Sequence, residues 1–176
     1  DTLIERRAAC LTDYQDPAYA ERYRRTVERV RAAEATVTRG PLRLAEAAAR
    51  SLFKLMAYKD EYEVARLFTD GSFARQLGRE LEGWRRLELH LAPPALSEVD
   101  ARTGRPRKHR FGPWILPVLR LVAGLRRLRG TAFDPFGRSA ERRMERRLIT
   151  EYEGLLERLC TGLTAERLPL AVEIAA

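Results

Sequence analysis

The side chains that most often carry chemistry are scarce in this sequence. Imidazoles stand only at His90 and His109, thiols only at Cys10 and Cys160, and amines only at Lys54, Lys59 and Lys108. An iron–sulfur cluster or a structural zinc site draws on about four thiolate or imidazole ligands at close spacing. The two cysteines lie at opposite ends of the chain, with no CxxC pair and no Cys/His grouping. GxGxxG, GxxxxGK[ST] and GxSxG are all missing, so dinucleotide, P-loop and nucleophile-elbow chemistry have no motif to stand on. The residues therefore assign this segment no catalytic residue, no cofactor-binding residue and no metal ligand. Cys10 and Cys160 are expected to be reduced, mostly buried thiols, a disulfide between them being the alternative. Lys54 and Lys59 flank Tyr58 and are expected to carry their ammonium groups out to water along their apolar stems.

One segment does offer chemistry of recognition. Arg102, Arg105, Arg107, Lys108 and Arg110 crowd together, with Phe111 and Trp114 directly after. From Arg102 to Arg147 there are fourteen basic residues and three acids, a net +11, while the remainder of the chain carries −3. Cations interleaved with aromatics can bind single-stranded nucleic acid by backbone attraction and stacking. They can equally dock a phosphate-bearing cofactor or an acidic protein, or form a solvated loop paired to acids elsewhere. The docking surface is placed at Arg102, Arg105, Arg107, Lys108, Arg110 and Trp114, with partner or cofactor docking ranked ahead of nucleic acid. His109 lies inside this run and belongs to the same surface. His90 falls on the polar side of a strand.

The elements that must position this surface are mostly helices. Leu3–Cys10 already reads as helical. Asp16-Pro17 is a helix start, an acceptor at the N-cap followed by proline at the first helical position. Tyr19, Tyr23, Val27, Val30 and Val37 then share one face, and Gly40-Pro41 closes the helix. Leu42–Lys59 is rich in Ala and Leu all round, the mark of a central, buried helix. Asp60 opens a third, with Glu63 as its capping-box partner, and Gly71 closes it. Ser72–Gly83 is a fourth, broken by Gly78. In Arg85–Leu91 the period drops to two, with Leu87, Leu89 and Leu91 alternating against Glu88 and His90. Pro93-Pro94 stops this strand, and Asp100–Pro106 is turn chemistry. Arg107–Gly112 returns, so one small hairpin with a long loop is predicted. Pro113 opens a helix to about Arg129. Thr131–Arg138 is a compact loop whose two Phe residues pin it on the core. Ser139 caps the longest helix, to about Thr161, with Met144, Leu148, Tyr152, Leu155 and Leu159 on its inner face, and a last helix opens at Thr164. The fold class is mainly α: six or seven helices with one small β-hairpin.

At 176 residues, 45% apolar and 33% charged, with a formal net charge of +8, the composition is that of a globular chain. Collagen-like, mucin-like and disulfide-scaffold classes are excluded. The most apolar stretch, Pro113–Leu125, is interrupted by Arg120 and falls short of the roughly 20 residues a bilayer requires, so no membrane partner is expected. Only three of the 33 basic residues are Lys, a bias that genomic base composition also produces. Asp1 stands in place of an initiating Met, and the pattern stops in mid-phrase at Ala176. Residues 1–176 are therefore expected to be a single helical accessory domain excised from a longer, multidomain chain.

Long phrases of the sequence are distinctive: LTDYQDPAYAERYRRTVERVRAAE (Leu11–Glu34), LFKLMAYKDEYEVARLFTDGSFARQL (Leu52–Leu77), HLAPPAL (His90–Leu96), TGRPRKHRFGPWILP (Thr103–Pro117), LRGTAFDPFGRSAERRMERRLITEYE (Leu128–Glu153) and LAVEIAA (Leu170–Ala176). From about Leu11 to Ala176 the chain resembles the C-terminal domain of the fused indolepyruvate ferredoxin oxidoreductases, in the 2-oxoacid:ferredoxin oxidoreductase superfamily. Gly83-Trp84-Arg85-Arg86 departs from that family's acidic-aromatic phrase. The resemblance implies a cytoplasmic, homodimeric parent enzyme that oxidatively decarboxylates an aryl-2-oxoacid to an acyl-CoA and reduces ferredoxin. It implies thiamine pyrophosphate and an iron–sulfur cluster in that parent, and as partners the parent's catalytic domains, ferredoxin and CoA. The family's GDG…NN thiamine motif is not in this segment, which is accordingly expected to turn nothing over by itself. The alternative from another class is a freestanding basic helical module that binds nucleic acid.

Overall fold

The computed structural model describes residues 2–81, 87–93, 104 and 107–176. Its elements in chain order are α1 (Thr2–Tyr14), α2 (Pro17–Val37), α3 (Arg43–Met56), α4 (Glu61–Thr69), α5 (Ser72–Glu80), β1 (Leu89–Leu91), β2 (His109–Phe111), α6 (Ile115–Gly124), a 3-10 turn (Leu125–Leu128), α7 (Ala140–Thr161) and α8 (Leu168–Ala175). The mainly-α class with one small hairpin is what forms. The chain divides into two compact units, one of Asp1–Tyr58 with Arg127–Ala176, the other of Lys59–Arg126.

The first unit is organised around α3. Alanine at positions 45, 48 and 49 lets neighbouring helices approach closely, and Leu44, Leu52 and Met56 fill the space beyond them. One apolar cluster joins Leu11, Tyr14, Tyr23, Val27, Leu52, Met56 and Ile149, and a second joins Val30, Leu44, Leu156, Ala171 and Ala175. Three tyrosines bind α3 and the residues after it through hydroxyls that donate to carbonyls: Tyr23 to Ala49 at 3.0 Å, Tyr19 to Met56 at 3.0 Å and Tyr14 to Tyr58 at 2.9 Å. A buried ring thereby keeps its polar tip satisfied. Asp16 caps α2 as expected, its Oδ1 accepting from the Tyr19 N–H at 2.8 Å. The helix ends at Val37, three residues before Gly40, because Thr38 turns to extended backbone.

The second unit is smaller. Asp60 caps α4 by accepting from the Glu63 N–H at 2.8 Å. Gly71, at φ +85°, makes the left-handed bend into α5, a conformation that costs a side chain dearly. Here β1 and β2 pair antiparallel, Leu89 opposite Phe111, His90 opposite Arg110 and Leu91 opposite His109. Leu89 and Phe111 point into a core shared with Ala65, Ile115, Leu119 and Ala123.

Several local expectations are corrected. Gly78 does not break α5, which runs through it to Glu80; the helix buries nothing at that point, and a mid-helix glycine costs only about 1 kcal/mol. The loop Thr131–Arg138 is not pinned by both of its Phe residues, since Phe136 is half-buried but Phe133 is 82% exposed. Asp134 holds it instead: the buried carboxylate accepts from the N–H groups of Gly130, Phe136 and Gly137 at 2.7, 3.1 and 2.9 Å. The inner face of α7 is rotated from the expected one. Met144 and Leu148 lie outside, and the buried seam runs through Ile149 and Leu156, because the helix carries apolar residues over a wide arc and its neighbours cover only one edge. Thr164 begins a turn rather than a helix, its carbonyl accepting from Leu168, where α8 starts. Both thiols are free, but Cys10 is exposed rather than buried, and Cys160 is half-buried. No helix among the described residues is long and apolar enough to cross a membrane.

Candidate functional site

The hairpin and the helix after it place the candidate surface. Alternation along β2 turns Phe111 inward and Arg110 outward, opposite the exposed His90. The exposed Arg110 guanidinium reaches the half-buried Glu88 at 3.4 Å, a pair at the surface that contributes little stability. Arg107 and Lys108 precede β2 and are exposed, and His109 is half-buried. Gly112 and Pro113 then turn the chain, their carbonyls accepting from the N–H groups of Ile115 and Leu116. The turn sets the Trp114 indole edge-on to Phe111, 5.7 Å between ring centroids, and leaves it 64% exposed. Four of the six sequence-predicted site residues, Arg107, Lys108, Arg110 and Trp114, thus form one exposed strip. Arg102 and Arg105 lie outside the described residues, as do Trp84 and most of the hairpin loop.

What such a strip can do is recognise. Exposed cations in high dielectric raise the encounter rate with an anionic partner, and a half-exposed indole offers a flat apolar contact.

The buried polar side chains are committed elsewhere. Glu34, wholly buried in α2, accepts from the Leu44 and Ala45 N–H groups at 2.9 and 2.8 Å. It supplies the start of α3 with the cap that Leu42 cannot give. The Arg129 guanidinium, 5% exposed, donates to the Tyr14 carbonyl at 2.6 Å and stacks 3.6 Å over the Tyr14 ring. Burial holds the phenols of Tyr19, Tyr23 and Tyr152 above their usual range, so these hydroxyls act as donors. Burial also raises the Cys160 thiol, which works against thiolate chemistry. Lys54 and Lys59 are both exposed.

A groove of about 860 Å³ opens between α2 and α7. Arg22 and Glu153 bridge it through paired contacts of 2.8 and 2.6 Å, so these two charges are spent within the fold. Among the described residues no group of three or more His, Cys, Asp or Glu could hold a metal ion. Two cysteines, one on α1 and one on α7, are too few to ligate an iron–sulfur cluster, and the GDG…NN motif for thiamine pyrophosphate is not in the sequence. The groups implied for the parent enzyme do not fit this segment.

Sequence reasoning found the strip through charge density. It missed a second feature beside it, an exposed apolar row of Val118 and Leu121 on α6 and Leu125 at the start of the 3-10 turn, continuing from Trp114. The spacing of four, three and four was the signal that could have revealed it.

Neither a curated protein nor a solved structure matches the chain. A family model described as "Family of unknown function (DUF6537)" matches residues 1–176.

Proposed function

From the premise that this chain belongs to the DUF6537 family of unknown function, we propose that it is a non-catalytic accessory domain of a thiamine pyrophosphate-dependent indolepyruvate ferredoxin oxidoreductase. Its role there is architectural and docking: its helices join the catalytic domains of the parent, and its basic strip receives ferredoxin or the phosphates of CoA. The sequence phrases from Leu11 to Ala176 support the choice of parent. The observation that carries the docking role is the exposed strip of Arg107, Lys108 and Arg110 beside Trp114. Ferredoxins are acidic and CoA is polyanionic, so such a strip accelerates encounter with either one.

The test is made in the whole parent enzyme. Reversing the charge of Arg107 and Lys108 slows ferredoxin reduction or raises the KM for CoA by about tenfold at low salt, and the difference shrinks as salt screens it. Unchanged kinetics at low salt refute docking through this strip. Tight binding of single-stranded DNA or RNA with a steep salt slope, measured by gel shift, supports the nucleic-acid module in its place.

A further inference from the structure

The α6 helix is apolar on nearly every side. Of its ten residues, ILPVLRLVAG, only Arg120 is charged. Ile115, Leu119 and Ala123 are buried in the core of the second unit. Trp114, Val118, Leu121 and Leu125 are 64, 46, 67 and 40% exposed. At about 100° per residue these four fall within an arc of about 60°, and at about 1.5 Å per residue they extend about 16 Å. Their four-three-four spacing is that of a coiled-coil seam, and a helix this apolar is ordinarily covered all round.

The charge around the row indicates what covers it. From Arg102 to Phe133 there are nine basic residues and no acid. Arg120 on α6 and Arg127 just beyond Leu125 are exposed as well, but the apolar row is a seam about 60° wide, narrower than the broad apolar face of a helix that lies on a lipid surface. Three more exposed cations, Arg107, Lys108 and Arg110, precede the indole by four to seven residues, so the Trp114 end carries the highest density of positive charge. A second copy of this surface would bring the same cations to the contact, which disfavours self-pairing.

We infer that Trp114, Val118, Leu121 and Leu125 form a seam that receives an amphipathic helix of a protein partner, with acidic residues gathered at the end that meets Arg107, Lys108 and Arg110. The partner's leucine-type side chains pack between those of α6, while its acidic turn meets the cations. Helices commonly carry Asp and Glu in the first turn, so the partner's N-terminus lies at the Trp114 end.

The experiment uses the 176-residue chain with Trp84→Phe, leaving Trp114 as the single indole. The probe is a designed helical peptide with Leu at seam positions and three Glu in its first turn; its control carries three Lys there. The Glu peptide is expected to shift Trp114 emission to the blue and to bind about tenfold or more tightly than the Lys peptide at roughly 50 mM salt. The double change Val118→Ser and Leu121→Ser, at exposed positions and without change of charge, weakens it by about tenfold or more with circular dichroism unaltered. Reversing Arg107 and Lys108 to Glu inverts the peptide preference. Equal affinity for the two peptides, or binding indifferent to the serine changes, overturns the inference. So does a concentration-dependent dimer in sedimentation that the serine changes abolish, which assigns the seam to a second copy. Binding to phosphatidylglycerol vesicles in place of the peptide assigns it to a membrane and overturns it equally. The inference shares the cations with the docking role proposed above. The uncharged serine changes separate them: they remove peptide binding and leave a purely electrostatic encounter with ferredoxin or CoA intact.

Discussion

Glu34 gives the sharpest test of how the first unit is held together. Its carboxylate is wholly buried and accepts two hydrogen bonds, from the Leu44 and Ala45 N–H groups at 2.9 and 2.8 Å. These are among the first N–H groups of α3, which have no partner within the helix. Leu42, the N-cap residue, has no side-chain acceptor, so α3 depends on a carboxylate from the preceding helix. Hydrogen bonds to a charged acceptor contribute about 1.5–3 kcal/mol each. Glu34→Ala removes both and strands two buried donors, but it also relieves the cost of burying the charge, so the net loss is about 3 kcal/mol. In a unit of this size that lowers the melting temperature by about 10 °C or more. Glu34→Gln keeps one acceptor oxygen and turns its amide N–H₂ towards the other donor, so it loses about half as much. Urea unfolding followed by circular dichroism measures both, and amide exchange reports locally: Leu44 and Ala45 lose protection first. If both variants stay within about 0.5 kcal/mol of the parent chain and those two amides remain protected, the capping argument is wrong.

Three further outcomes follow from the same geometry. Arg129→Met removes the donor to the Tyr14 carbonyl and the cation over its ring, and costs about 2–4 kcal/mol in urea unfolding; Arg129→Lys recovers little of it, because an ammonium cannot stack as a planar guanidinium does. Tyr19, Tyr23 and Tyr152 have raised folded-state values through burial, so the stability they contribute is complete below the unfolded phenol value of about 10 and is lost as pH rises above it. An absorbance titration at alkaline pH therefore shows these phenols ionising together with unfolding, and free titration of all six tyrosines in a folded chain refutes the buried hydroxyl contacts. Iodoacetamide followed by peptide mass analysis labels the exposed Cys10 before Cys160, whose thiol is half-buried and raised by that burial; equal rates contradict the packing around α7.

The residues alone determined the order of elements, because their signals are local. Asp16-Pro17 and Asp60…Glu63 each carry their own acceptor and first turn within four residues, and both cap the helices they announce. Leu89 and Leu91 declare a strand by period, and its partner at His109–Phe111 follows, although Leu87 in the same alternation falls outside β1. The cationic strip was legible as charge density, since long charged side chains stay in water wherever the chain runs. Tertiary structure decided everything that depends on which neighbour arrives. It chose Ile149 and Leu156 over Met144 and Leu148 as the inner face of α7, because both edges of a wide apolar arc look alike until other helices cover one. It buried Glu34, a residue that by type belongs in water, because the start of α3 lies ten residues away in sequence and within hydrogen-bonding distance in space. It left Val118 and Leu121 uncovered on α6, a fact that no apolar pattern contains, since hydrophobicity states only that a side chain avoids water and the packed chain alone shows whether it has done so.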